Sequence, residues 1–123
     1  MWRNHNKKKK ETGDQGEEMA CHFLENHGFQ ILQRNYRYQR IGEIDIIVKK
    51  QNLIAFIEVK YRNIPLYGGG LYSIGEKKME TLRKTAMQYL ATHPSLYTEE
   101  NIFRFDLISI TGEEIQWIKD IFR

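Results

Sequence analysis

GEIDIIVKKQNLIAFIEVKYR, Gly42 to Arg62, reads as two apolar runs separated by the short polar turn Lys50 to Asn52. Each run has the length and β-branched content of a strand, and the turn is short enough to make them an antiparallel hairpin. Successive side chains of a strand point to opposite faces. On the first strand Ile44, Ile46 and Val48 are expected on one face, with Glu43, Asp45 and Ile47 on the other. On the second, Ile54, Phe56, Glu58 and Lys60 share a face, and Leu53, Ala55, Ile57, Val59 and Tyr61 share its opposite. Both strands are apolar on both sides, the mark of a covered central sheet. Yet Asp45, Glu58 and Lys60 interrupt them, and an unpaired charge inside an apolar layer is costly. Asp45 and Glu58 flank the turn almost symmetrically, so the hairpin brings both carboxylates to the same end of neighbouring strands.

Outward from the hairpin the chain alternates element types. Thr12 to Asp14 supply N-cap residues for a helix through GEEMACHFLENH, with Ala20, Phe23, Leu24 and His27 on one stripe and Gly28 as the stop. Phe29 to Tyr38 is expected as a strand. Pro65 and the run Gly68, Gly69, Gly70 mark a loop, which lacks the GK[ST] ending of a phosphate-binding P-loop and reads as a mobile segment over the site. A second helix is expected from about Ile74 to His93, where Met79, Leu82, Ala86, Tyr89 and Leu90 recur at helical spacing and Pro94 closes it. Strands follow at Phe103 to Ile110 and around Ile115 to Ile118. The order places the chain in the α/β class: residues 12–123 form one domain, and residues 1–11 form a flexible basic N-terminal arm.

Composition narrows the function classes. The 123 residues are 41% hydrophobic, enough for one packed core. There is no apolar run of membrane-spanning length, and MWRNHNKKKK has no following apolar segment of the kind a secretory signal carries, so a cytosolic location is expected. The single cysteine, Cys21, excludes an internal disulfide and a CxxC zinc site, and it reads as a buried structural thiol. His5, His22, His27 and His93 lack metal-ligand spacing. The net charge of +3 permits a nucleic-acid partner without requiring one. Lys7 to Lys10 read first as a solvated tail.

A hard divalent cation prefers oxygen ligands and keeps part of its water shell. Asp45 and Glu58 with a neighbouring main-chain carbonyl meet that need, and Lys60, projecting beside Glu58, suits the positioning of water or the offset of phosphorane charge. The bland alternative is a structural Glu–Lys pair on a strand. Glu17 is also explained by the preference for acids in a helix's first turn. Glu43 shares the face of Asp45 and reads either as an orienting group or, preferably, as an exposed edge acid. Arg34, Arg37, Arg40, Arg62, Arg83 and Lys84, interleaved with Tyr36, Tyr38, Tyr61 and Tyr67, are candidates for a nucleic-acid backbone surface, as are Lys77 and Lys78 at the start of the second helix. Such interleaving is equally ordinary in strands. Asp106, which alternates onto one face with Arg104, reads as structural.

The ordered pieces GDQGEEMACHFLENHGFQILQRNYR, GEIDIIV, AFIEVKYR, KKMETLRKTAMQYL and RFDLISI resemble the bacterial YraN-like family, which is similar to archaeal Holliday-junction resolvases in the PD-(D/E)XK nuclease superfamily. They cover almost all of the chain after the basic tail. The resemblance implies a restriction-endonuclease-like core, helix first, with a mixed central sheet in the order helix, three strands, helix, strand. It implies Mg²⁺ or Mn²⁺ held by Asp45 and Glu58, a catalytic lysine at Lys60, and Glu17 close to that site. It further implies phosphodiester hydrolysis in DNA, including branched or structured DNA. Cleavage of a four-way junction needs two active sites, which is compatible with a homodimer. Where the superfamily motif has proline before the first Asp, this chain has Ile44. The alternatives are an inactive nuclease-fold module that binds nucleic acid and an interaction protein that does not.

Overall fold

The computed structural model describes residues 2–62 and 75–122, with side chains from residue 14 onward. The expected loop containing Pro65, Tyr67 and Gly68 to Gly70 lies outside the described residues. Seven elements follow one another: α1 (Trp2–Asn26), β1 (Gln30–Tyr38), β2 (Gly42–Lys50), β3 (Leu53–Arg62), α2 (Glu76–Ala91), β4 (Ile102–Thr111) and β5 (Glu114–Ile118). The first helix begins at Trp2, earlier than the cap expected near Thr12 to Asp14. Neither glycine nor proline occurs before Gly13, and the intervening lysines are good helix formers. The C-terminal stop at Gly28 is as expected: its φ is +87°, and the Gly28 and Phe29 amides donate back to the carbonyls of Glu25 and Leu24, each at 3.0 Å.

The strands form one five-stranded mixed sheet in the order β1-β2-β3-β4-β5. β1–β2, β2–β3 and β4–β5 pair antiparallel, and β3–β4 pair in parallel, a connection that requires the crossover containing α2. Apolar residues on both faces of β2, β3 and β4 leave two layers to be covered. Against one face α1 packs Ala20, Cys21 and Leu24 onto Ile46, Val48, Ala55, Ile57, Ile108 and Ile110. Against the other α2 packs Leu82, Ala86, Tyr89 and Leu90 onto Ile44, Ile47, Ile54 and Phe56. Burying each Ile or Leu of this kind contributes roughly 1.5–3 kcal/mol before chain entropy is subtracted. The molecule is a mixed α/β structure with a helix on each side of the sheet. Among the described residues no helix is long and apolar enough to cross a membrane.

One expectation about β2 needs correction. Ile44 does not share a face with Ile46 and Val48; it lies in the α2 layer with Ile47. The cause is on the neighbouring strand. The β1–β2 pairing passes from Arg34↔Ile46 to Tyr36↔Ile44, and Asn35 between them has φ +53°. That left-handed residue breaks the alternation of both strands opposite Asp45. Two residues on β1 therefore diverge: Arg34 reaches the glutamates of α1, whereas Tyr36 packs in the α2 layer.

Two glycines let the helices come close to this irregular region. A Cβ on Gly16 would stand 2.5 Å from Tyr61 Cβ, so α1 meets β3 through bare backbone there. A Cβ on Gly42 would stand 2.5 Å from both Thr81 Cγ2 and Thr85 Oγ1, which seats α2 over the start of β2. The residues that follow these glycines, Glu17 and Glu43, are thereby carried into the same neighbourhood.

Candidate metal centre

Carboxylates of Glu17 from α1 and of Glu43 and Asp45 from β2 each bring an oxygen within 4.8 Å of the other two. The three are partly buried. The β2–β3 ladder ends at Ile46↔Ile57, and beyond it the Val59 amide donates to Asp45 Oδ2 at 2.8 Å. The Asp45 side chain thus holds the mouth of the two strands where their main chains stop pairing.

Burial is the main reason the Asp45 pKa rises to about 7, with the neighbouring Glu58 charge next; the Val59 amide opposes both. Glu17 and Glu43 push in the same upward direction. Glu58 is therefore close enough to Asp45 for its charge to be felt, although it belongs to the α2 side of the sheet. It is buried, and its Oε1 lies 3.7 Å from Lys60 Nζ and 3.7 Å from Lys78 Nζ. Lys78, a candidate nucleic-acid contact at the start of α2, is placed against Glu58.

Glu17 projects from α1 with a side chain only 12% exposed. Its pKa is raised by burial, against the lowering influence of a hydrogen bond from Asn35 and the charge of Arg34. Arg34 Nη2 lies 3.6 Å from Glu17 Oε2, outside hydrogen-bonding distance, and Arg34 Nη1 bonds Glu18 at 3.0 Å. Glu17 Oε2 is left buried with no hydrogen-bond partner. A buried carboxylate with one oxygen short of a hydrogen-bond donor, clustered with two further carboxylates, suits a hard cation. The residues present therefore fit the divalent metal that the sequence resemblance implies.

Glu43 belongs to this cluster, where the sequence reading preferred an exposed edge acid. Its other partner is Arg37, at 3.1 Å. The available signal was its alternation with Asp45, which places both on one face. Arg37, Gln39, Arg40, Gly42 and Glu43 line a shallow cleft of about 220 Å³ at the β1–β2 turn, so the two arginines expected at a nucleic-acid surface share that cleft with Glu43. Lys77 is exposed at the start of α2, and Arg62 ends β3 beyond Lys60, accepting through its carbonyl from the Gly112 amide at 2.9 Å.

Two other expectations concern residues outside the centre. Asp106 is completely buried and structural: Arg104 donates to it twice at 2.8 Å, the Trp117 indole at 2.9 Å and the Asp120 amide at 3.0 Å. Cys21 is buried, and burial raises its pKa, as befits an inert thiol.

A family model described as "Uncharacterised protein family UPF0102" matches residues 16–110. A UPF0102 protein of Halorhodospira halophila is 38% identical over 114 residues, which cover 93% of this chain and 88% of that one. The UPF0102 protein YraN of Escherichia coli O1:K1 is 40% identical over 113 residues, covering 92% of this chain and 85% of its own. The matched span runs from the glycine that seats α1 on β3, through the acidic centre, to the end of the parallel strand pair, and the chain belongs to the UPF0102 family.

Proposed function

We propose that this protein is a divalent-metal-dependent endonuclease of the restriction-endonuclease-like type, hydrolysing phosphodiester bonds in DNA, including branched or structured DNA. The observation that carries the reading is the convergence of Glu17, Glu43 and Asp45 beside the Glu58–Lys60 pair. Asp45, clustered with Glu17 and Glu43, and Glu58, near enough for its charge to act on Asp45, are the residues to hold Mg²⁺ or Mn²⁺. When bound, such an ion lowers the pKa of a water molecule and neutralises phosphate charge. The Val59 amide fixes the Asp45 carboxylate before substrate arrives, which limits reorganisation during reaction. Lys60, held near Glu58, orients the attacking water and faces the charge that develops on the phosphorane. Arg37 and Arg40, at the adjacent cleft, take flanking phosphates.

The test is incubation of the purified protein with linear, nicked and four-way DNA in Mg²⁺ or Mn²⁺, beside Asp45→Asn. Cleavage by the parent and its loss in the variant are expected. Intact DNA of every form, with binding retained, would overturn the enzyme reading.

A second reading is an inactive nuclease-fold module that binds nucleic acid. It is favoured by the cations already placed against the acids: Arg34 near Glu17, Arg37 on Glu43, and Lys60 and Lys78 on Glu58. It requires binding that is salt-sensitive, independent of metal and unchanged by Asp45→Asn.

A further inference from the structure

At the opposite end of the sheet from the acids, a second cleft of about 240 Å³ opens between the C-terminal end of α1 and the sheet, lined by His27, Phe29, Lys50, Leu53, Arg104, Trp117 and Lys119. Lys50 lies five positions along β2 from Asp45, so the two places are roughly 17 Å apart at ~3.4 Å per residue.

Aromatic rings form much of the wall. Trp117 meets His27 at 5.5 Å and Phe29 at 5.7 Å between ring centres, both edge-on. Its indole N–H is committed to Asp106, which fixes the ring. Two ammonium groups stand over ring faces: Lys119 Nζ is 4.3 Å from the Trp117 centre and Lys50 Nζ is 5.7 Å from that of Phe29. Lys50 also donates to the His27 carbonyl at 2.8 Å. Among the described residues no carboxylate pairs with either lysine, whereas Arg104 beside them donates through Nε and Nη2 to Asp106. Both ammonium groups are exposed, and each is attracted to the ring face beneath it. Together these are the components that recognise a planar base carrying a phosphate: rings for stacking, ammonium groups for charge.

We infer that this cleft binds one nucleotide unit of a single-stranded nucleic-acid segment, the base against the partly exposed Trp117 ring, which the buried Phe29 backs, and the phosphates at Lys50 and Lys119. The inference rests on the reading of nucleic acid as the substrate but not on the metal centre. It gives the protein two contact points on one strand, and the distance between them selects substrates with an unpaired stretch near the scissile bond.

The experiment uses the full chain carrying Trp2→Phe, so that Trp117 is the sole tryptophan, in EDTA. Oligothymidylate of eight nucleotides, thymidine monophosphate and inorganic phosphate are titrated separately against indole fluorescence. The oligonucleotide is expected to quench Trp117, with the mononucleotide doing so at higher concentration and phosphate not at all. Lys50→Gln with Lys119→Gln is expected to weaken oligonucleotide binding at least tenfold. The same pair should reduce the log–log salt slope by about 1.4, two contacts at ~0.7 each for single strands. No quenching by the oligonucleotide, equal affinity in the double variant, or quenching by phosphate as strong as by the mononucleotide would each overturn the inference. Quenching without metal-dependent cleavage would sink the enzyme reading alone, and cleavage without quenching would sink only this cleft.

Discussion

The Val59 amide donates to Asp45 Oδ2 across the point where β2 and β3 cease to pair. A side chain there does the work of a main-chain acceptor, so Asp45 is both a structural clasp and the most perturbed acid of the site. The two roles respond differently to protonation, and that makes them separable.

Asp45→Asn should stabilise the metal-free protein at alkaline pH. The folded pKa of about 7 lies above the ordinary 3.8, so the folded state keeps a proton that the unfolded chain releases. Stability from this group is therefore full below about pH 4, falls between about pH 4 and 7, and stays low above that. Asparagine cannot ionise, and its Oδ1 still accepts from Val59. Thermal melts in EDTA should show little difference at pH 4 and a gain of about 1–3 kcal/mol at pH 8, or roughly 5–10 °C. A loss at pH 8 equal to that at pH 4 would show that the clasp, not the buried charge, dominates.

Mn²⁺ or Mg²⁺ should raise the melting temperature, more at pH 8 than at pH 5.5, because a ligand carboxylate must first lose its proton. At a hundred times the dissociation constant the stabilisation is about 2.7 kcal/mol. Glu17→Gln should reduce the shift by removing one of the three clustered carboxylates. Equal shifts in parent and variant would remove Glu17 from the ligand set.

Asp106→Ala should be among the most destabilising single changes, at about 3–5 kcal/mol in urea unfolding. It strips the partner from the Arg104 guanidinium and the Trp117 indole at once. A cost below about 1 kcal/mol would mean that water replaces the carboxylate without difficulty.

Gly16→Ala tests the seat of α1. Alanine favours a helix by up to about 1 kcal/mol over glycine. Its methyl would nevertheless stand 2.5 Å from Tyr61 Cβ, an atom that cannot swing aside. A net loss of about 1–3 kcal/mol is expected, together with weaker metal stabilisation as Glu17 moves with the helix. A more stable variant with unchanged metal response would show that α1 shifts freely.

Much of this architecture was legible in the residues. The hairpin from Gly42 to Arg62, the second helix and the two last strands follow from apolar periodicity and turn residues, and their bounds agree with the structure to within one or two residues. The reversal of Ile44 was not legible. It depends on Asn35 adopting a left-handed conformation on a neighbouring strand, and period-two patterning within β2 carries no trace of it. Glu43 was half legible, since its face follows from alternation with Asp45, but its proximity to Glu17 depends on how closely Gly16 lets α1 approach. The partners of Asp106 were invisible for a related reason: Trp117 and Asp120 come from β5 and the segment beyond it, brought there only by sheet pairing. The nearness of Glu17 to Asp45 came from the family resemblance alone.

The outer position of β1 has a further consequence for self-association. An edge strand with regular spacing invites another chain to add to the sheet. Here the pairing slips between Ile31 and Gln33, Asn35 turns left-handed, and Arg34 and Arg37 lie along the same border. These irregularities break the row of amides and carbonyls that an incoming strand would need. Strand addition at β1 is thereby disfavoured, which keeps that rim from being capped by another chain's backbone beside the carboxylates.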